Sequence, residues 1–93
     1  MRWSFVAALL LSSPALAAEM PPGVSSCSGC HPTRASVQTP VSQLVGRPAN
    51  EIATAIRDFR DGKLPATVMD RIAKGFSETE IAAIADWYAA QKP

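Results

Sequence analysis

The sequence predicts an all-α fold, and three features of it point that way. Apolar residues recur at helical spacing in two segments, and proline and glycine fall just outside them. No segment alternates apolar and polar residues as a half-buried strand does. The chain has 93 residues, two cysteines and one histidine, which suits a single domain with a small core. Domains of that size are marginal on side-chain burial alone and commonly recruit a disulfide, a metal or a large bound group.

At the N-terminus, one arginine precedes an apolar run from Phe5 to Leu11, and Ala15, Leu16 and Ala17 make the small-x-small pattern after which signal peptidase cuts. The run is too short for a permanent transmembrane helix. We therefore expect residues 1–17 to be a secretory signal peptide, with no permanent membrane anchor, and residues 18–93 to form one domain that works outside the cytoplasm. Without Arg2, eight Lys and Arg stand against eight Asp and Glu. That balance leaves no basic field for nucleic acid or anionic lipid.

A short helical turn is expected over Val24 to Cys30, entered from the breaker Met20-Pro21-Pro22-Gly23. Residues Pro32 to Gly46 read as a loop. Between Pro48 and Gly62, Ile52, Ala55, Ile56 and Phe59 fall at i, i+3, i+4 and i+7, which predicts an amphipathic helix of about three turns. Lys63 to Val68 reads as a second loop, and Asp70 to Lys74 as a turn of helix ending at Gly75. In the C-terminal helix, Ser77 and Glu80 make a capping box and Ile81, Ile84, Ala85 and Tyr88 form one stripe. Trp87 and Tyr88 read as core packing rather than as an electron relay. Arg60, Lys63 and Lys74 read as solubilising charges.

Both cysteines and the only histidine lie within five positions, in Cys27-Ser28-Gly29-Cys30-His31. A structural zinc site fails by count, because four ligands are needed and no other Cys or His exists. A thiol-disulfide oxidoreductase pair would sit at a strand-to-helix junction, and no strands are legible. A plain disulfide between residues three apart would close a very small loop and stabilise little. The remaining reading is covalent attachment of one haem c, for which Cys-x-x-Cys-His is the signature. The two thiols add to the porphyrin vinyl groups, and the next residue brings an imidazole under the iron.

A second axial ligand is then wanted. With no other histidine, Met1 lost with the signal and Met20 in the mature N-terminus, Met69 is the candidate, following a loop that Pro65 holds extended. His/Met ligation fills both axial positions and raises the reduction potential, which suits electron transfer rather than catalysis.

On these motifs the chain resembles the small class I c-type cytochromes. Within them, the run from Gly46 to Ala89, with the stretch from Pro65 to Gly75 as its most specific part, resembles the haem subunit of flavocytochrome c sulfide dehydrogenases. The resemblance implies a single-haem class I cytochrome c fold over residues 18–93 and a periplasmic location. It also implies a FAD-containing sulfide dehydrogenase partner and a downstream cytochrome or oxidase acceptor. Cys27 and Cys30 then carry the haem, with His31 proximal and Met69 distal, and the Pro40 carbonyl accepts the ring N–H of His31. Pro32 and Thr39 stand where the family usually has glycine, which bears on the path of that loop. The segment before Cys27 is short, so the usual N-terminal helix is expected to shrink to about one turn. The alternatives are a freestanding carrier serving other dehydrogenases and, from a different class, the thiol-disulfide oxidoreductase.

Overall fold

The computed structural model describes residues 20–34 and 36–92, so the expected signal peptide, residues 1–17, lies outside the described residues. Helix is the only regular secondary structure among them: α1 (Val24–Ser28), α2 (Ala49–Arg60), α3 (Met69–Ala73) and α4 (Glu78–Ala90). The fold is all-α, as the sequence predicts.

Each helix ends where its local chemistry ends it. The first helix begins at Gly23, whose φ of +98° lies in a region that side chains rarely adopt. A Cβ there would stand 2.5 Å from Phe76 Cε1 and 3.0 Å from Ile84 Cδ1, so only glycine lets α1 approach α4 this closely. It spans five residues, close to the single turn expected, and stops at Ser28 rather than Cys30. Helix α2 closes through a Schellman arrangement. The Lys63 N–H donates to the Asp58 carbonyl at 2.8 Å and the Gly62 N–H to the Phe59 carbonyl at 3.3 Å. The capping box of α4 is present in full: Ser77 Oγ accepts from the Glu80 N–H and Glu80 Oε1 from the Ser77 N–H.

Helix α2 packs against both α3 and α4. The buried core consists of Val24 from α1, Val45 from the following loop, Ile52, Ala53 and Ile56 from α2, Ala73 from α3, and Ile81, Ile84, Ala85 and Tyr88 from α4. The α4 stripe is the one read from sequence. On α2 the stripe is rotated: Ala53 is buried, while Ala55 and Phe59 are only half-buried. The far end of α2, with Phe59, turns instead toward the loop that leads to Met69.

At this same end of α2, Arg57 Nε donates to Glu78 Oε2 at 2.8 Å, Arg60 Nη1 donates to Glu78 Oε1, and Arg60 Nε donates to Asp61 Oδ1 at 3.0 Å. Arg60 therefore joins the end of α2 to the start of α4. The hydrogen bonds from Arg60 and then Arg57 hold the Glu78 carboxyl below its ordinary value.

Candidate functional site

The turn that carries the cysteines is fastened to its own first residues. The Cys27 N–H donates to the Gly23 carbonyl at 3.1 Å, and the Cys27 carbonyl accepts from Cys30 N–H at 3.1 Å and His31 N–H at 2.8 Å. This winding draws Cys27, Cys30 and His31 into one turn. Both thiols are free, Cys27 half-buried against the core and Cys30 exposed. Burial pushes the Cys27 thiol above its ordinary value, partly offset by its backbone hydrogen bond.

His31 is half-buried, and its Nδ1 lies 2.6 Å from the Ser42 carbonyl. A carbonyl can only accept, so Nδ1 is the donor, and Nε2 is the nitrogen through which a neutral imidazole would meet a metal. The acceptor is Ser42, not Pro40 as the resemblance implies. Thr39 supplies the reason: its Oγ1 accepts from the Val41 N–H and donates to the Val41 carbonyl, each at 3.1 Å, curling the chain just past Pro40. The carbonyl that reaches the ring is then two residues further on. Gln43 Nε2, donating to the Arg34 carbonyl at 3.2 Å, ties the loop back on itself.

Met69, at the start of α3, is half-buried and lines a cavity of about 490 Å³ with Phe59, Pro65, Ala66 and Thr67. That volume is in the range of a small-molecule or cofactor pocket. Neither cysteine nor His31 lines it. The four candidate residues thus form two groups, the Cys27–His31 turn and the Met69 cavity.

The donor set fits haem c. Two free thiols stand at the required spacing, the adjoining imidazole has its second nitrogen already satisfied, and a thioether opens onto an apolar cavity.

Two residues that sequence reasoning gave no site role hold the turn in place. Tyr88, fully buried, donates from Oη to the Val24 carbonyl at 3.1 Å and lies 2.7 Å from Ser28 Oγ. Burial raises the Tyr88 hydroxyl above its ordinary value, keeping it protonated and able to donate. A buried tyrosine must find a partner for its hydroxyl, which was the only signal available. Nothing in the sequence distinguishes Ser28 from any other residue between the two cysteines.

Comparison with known proteins bears on the family. The chain is 32% identical over 73 residues to cytochrome c-554(548) of Halomonas halodenitrificans, covering 74% of the chain and 88% of that relative. It belongs to the small c-type cytochromes. This cytochrome is also 38% identical over 63 residues to the cytochrome subunit of sulfide dehydrogenase of Chlorobaculum tepidum, covering 68% of the chain and 57% of that protein. Over 89 residues it is 34% identical to the thiosulfate dehydrogenase electron acceptor of Thiomonas intermedia, covering 92% of the chain and 41% of that protein. The cytochrome therefore matches only about half the length of these two relatives. No family model and no solved structure matches it. Among the described residues no helix is long and apolar enough to cross a membrane.

Proposed function

We propose that this cytochrome is a one-electron carrier of the periplasm, in which Cys27 and Cys30 would hold one haem c through thioethers and His31 Nε2 and the Met69 sulfur would ligate its iron. The observation that carries the reading is the His31–Ser42 hydrogen bond of 2.6 Å, which makes Nδ1 the donor and leaves Nε2 as the nitrogen to meet a metal, next in sequence to two free thiols. When bound, haem supplies a ferric/ferrous couple. His31 is held in one tautomer by a backbone acceptor, which raises its basicity as a ligand. Phe59, Pro65, Ala66 and Thr67 line the cavity with Met69 and give it a largely apolar wall. A thioether favours the reduced iron, so the potential is raised. Residues 1–17 direct export, and residues 18–93 are the mature domain.

Electrons come from a sulfide-oxidising, FAD-containing partner and leave to a downstream cytochrome or oxidase; catalysis belongs to the partner. The name of the Chlorobaculum tepidum relative, a sulfide dehydrogenase subunit, supports this reading. The Thiomonas intermedia relative, named as an electron acceptor of thiosulfate dehydrogenase, supports a second one, a freestanding carrier for other dehydrogenases.

The test is expression in a haem-maturing host of wild type, Met69→Ala and a Cys27→Ala/Cys30→Ala double variant. Wild type should keep its haem through acid-acetone extraction, and the double variant should lose it. Met69→Ala should keep covalent haem, lose the near-infrared sulfur-to-iron band and bind carbon monoxide. Haem fully extractable from wild type would refute the attachment, and an unchanged Met69→Ala spectrum would refute the ligand.

A further inference from the structure

Tyr88 touches the histidine-bearing loop at both of its ends. A tyrosine hydroxyl has one hydrogen, and Tyr88 Oη gives it to the Val24 carbonyl at 3.1 Å. The 2.7 Å bond between Tyr88 Oη and Ser28 Oγ is therefore donated by Ser28. Ser28 lies between the two cysteines, two residues before Cys30. At the other end, the Tyr88 carbonyl accepts from the Gly46 N–H at 3.1 Å. Gly46 closes the short segment that begins at Ser42, whose carbonyl holds His31 Nδ1 at 2.6 Å. Hydrogen bonds and short backbone stretches thus form a closed ring running from Tyr88 through Ser28 to His31, then through Ser42 and Gly46 back to Tyr88.

We infer that Tyr88 and Ser28 are positioning residues for His31 and the two thiols: together they fix the Cys-x-x-Cys-His turn on α4 while the Tyr88 backbone fixes the strip of loop that orients the imidazole. The inference rests on the haem reading given above. In thioether formation each S–H adds across a vinyl double bond, sulfur to one carbon and hydrogen to the other, with no oxidant and no leaving group. Completion at both sites then depends on how firmly each sulfur is presented. Cys27 is held against the core, but Cys30 is exposed and follows a glycine. Two side-chain hydrogen bonds flank it, that of Ser28 before and that of His31 after, and the Ser28 anchor is the one on the cysteine-to-cysteine side.

Packing alone leads to a different expectation. Alanine is a better helix residue than serine, and Ser28→Ala leaves the Tyr88 bond to Val24 intact. A purely structural role therefore makes Ser28→Ala neutral for the haem environment.

Holoprotein of wild type, Ser28→Ala, Ser28→Thr and Tyr88→Phe is prepared from a haem-maturing host. Alkylation of the denatured holoprotein counts unreacted thiols, the pyridine haemochrome band reports unreacted vinyl groups, and proton NMR of the ferric protein reads the hyperfine-shifted His31 ring signals. Ser28→Ala should raise the share of protein with one unreacted thiol about fivefold, the factor expected for loss of one neutral hydrogen bond, and shift the His31 signals. Ser28→Thr, which keeps the hydroxyl, should restore both. Tyr88→Phe should repeat the Ser28→Ala result. If it does not fold, the serine pair decides. Wild type with covalent haem, but Ser28→Ala matching it in thiol count and ring signals, would overturn this inference alone. Wild type without covalent haem would overturn the functional reading and this inference with it.

Discussion

Gly23 shows how a single backbone position sets the separation of two helices. Its φ of +98° and the 2.5 Å approach that a Cβ would make to Phe76 act together. Gly23→Ala incurs both the strain of a side chain in a left-handed conformation and an overlap with a packed aromatic ring, and the two effects sum to about 2–4 kcal/mol. That is a large part of the stability of a domain this size. Denaturant unfolding of the holoprotein should show the midpoint fall by a corresponding amount, with the visible spectrum of the folded form little changed. A Gly23→Ala variant as stable as wild type would mean that α1 can draw back from Phe76 without loss. His31 makes a second point at this scale: its tautomer is set by a carbonyl eleven positions away.

At the scale of elements, α2 and α4 are joined by apolar burial along their length and by Arg57, Arg60 and Glu78 at one end. Glu78 is exposed, so this junction is a modest contributor and sensitive to salt. Its pH dependence has a definite sign. The folded-state carboxyl is held below its ordinary value of 4.5, chiefly by the Arg60 hydrogen bond. The stabilisation is therefore fully present above pH 4.5 and is lost as pH falls below it. Thermal melts of wild type and Glu78→Gln should differ at pH 7 and converge as pH is lowered through the acid range. A difference that stays constant with pH would show that Glu78 acts through its shape and not its charge.

The whole molecule presents an apolar surface beside the Met69 cavity. Pro65, Ala66 and Thr67 are exposed, and Leu64, Val68 and Ile72 are 38%, 54% and 38% exposed. Residues 18–93, with eight basic and eight acidic residues, have little net charge with which to steer a partner over distance. Under the sulfide dehydrogenase reading, contact through this patch gives a stable subunit interface, because extended dry interfaces outlast small polar encounters. Co-expression with the partner flavoprotein, followed by size exclusion at low and physiological salt, should give one complex whose retention barely changes. Elution of the cytochrome alone at both ionic strengths would favour the freestanding carrier.

By itself the sequence determined what depends on neighbours along the chain. The capping box at Ser77, the glycine stop after α2, the apolar stripe of α4 and the spacing of Cys27, Cys30 and His31 are all local, because helix periodicity and capping act over three or four residues. Only the tertiary structure decided the contacts between distant segments. The curl at Thr39 passed the histidine's acceptor from Pro40 to Ser42. The rotation of α2 buried Ala53 and left Phe59 for the Met69 cavity. Ser28 and Tyr88, 60 positions apart, became partners. A hydrogen bond or a packed face of this kind depends on where two remote stretches of backbone come to lie, and that position is set by the burial of the whole core rather than by either residue's own neighbours.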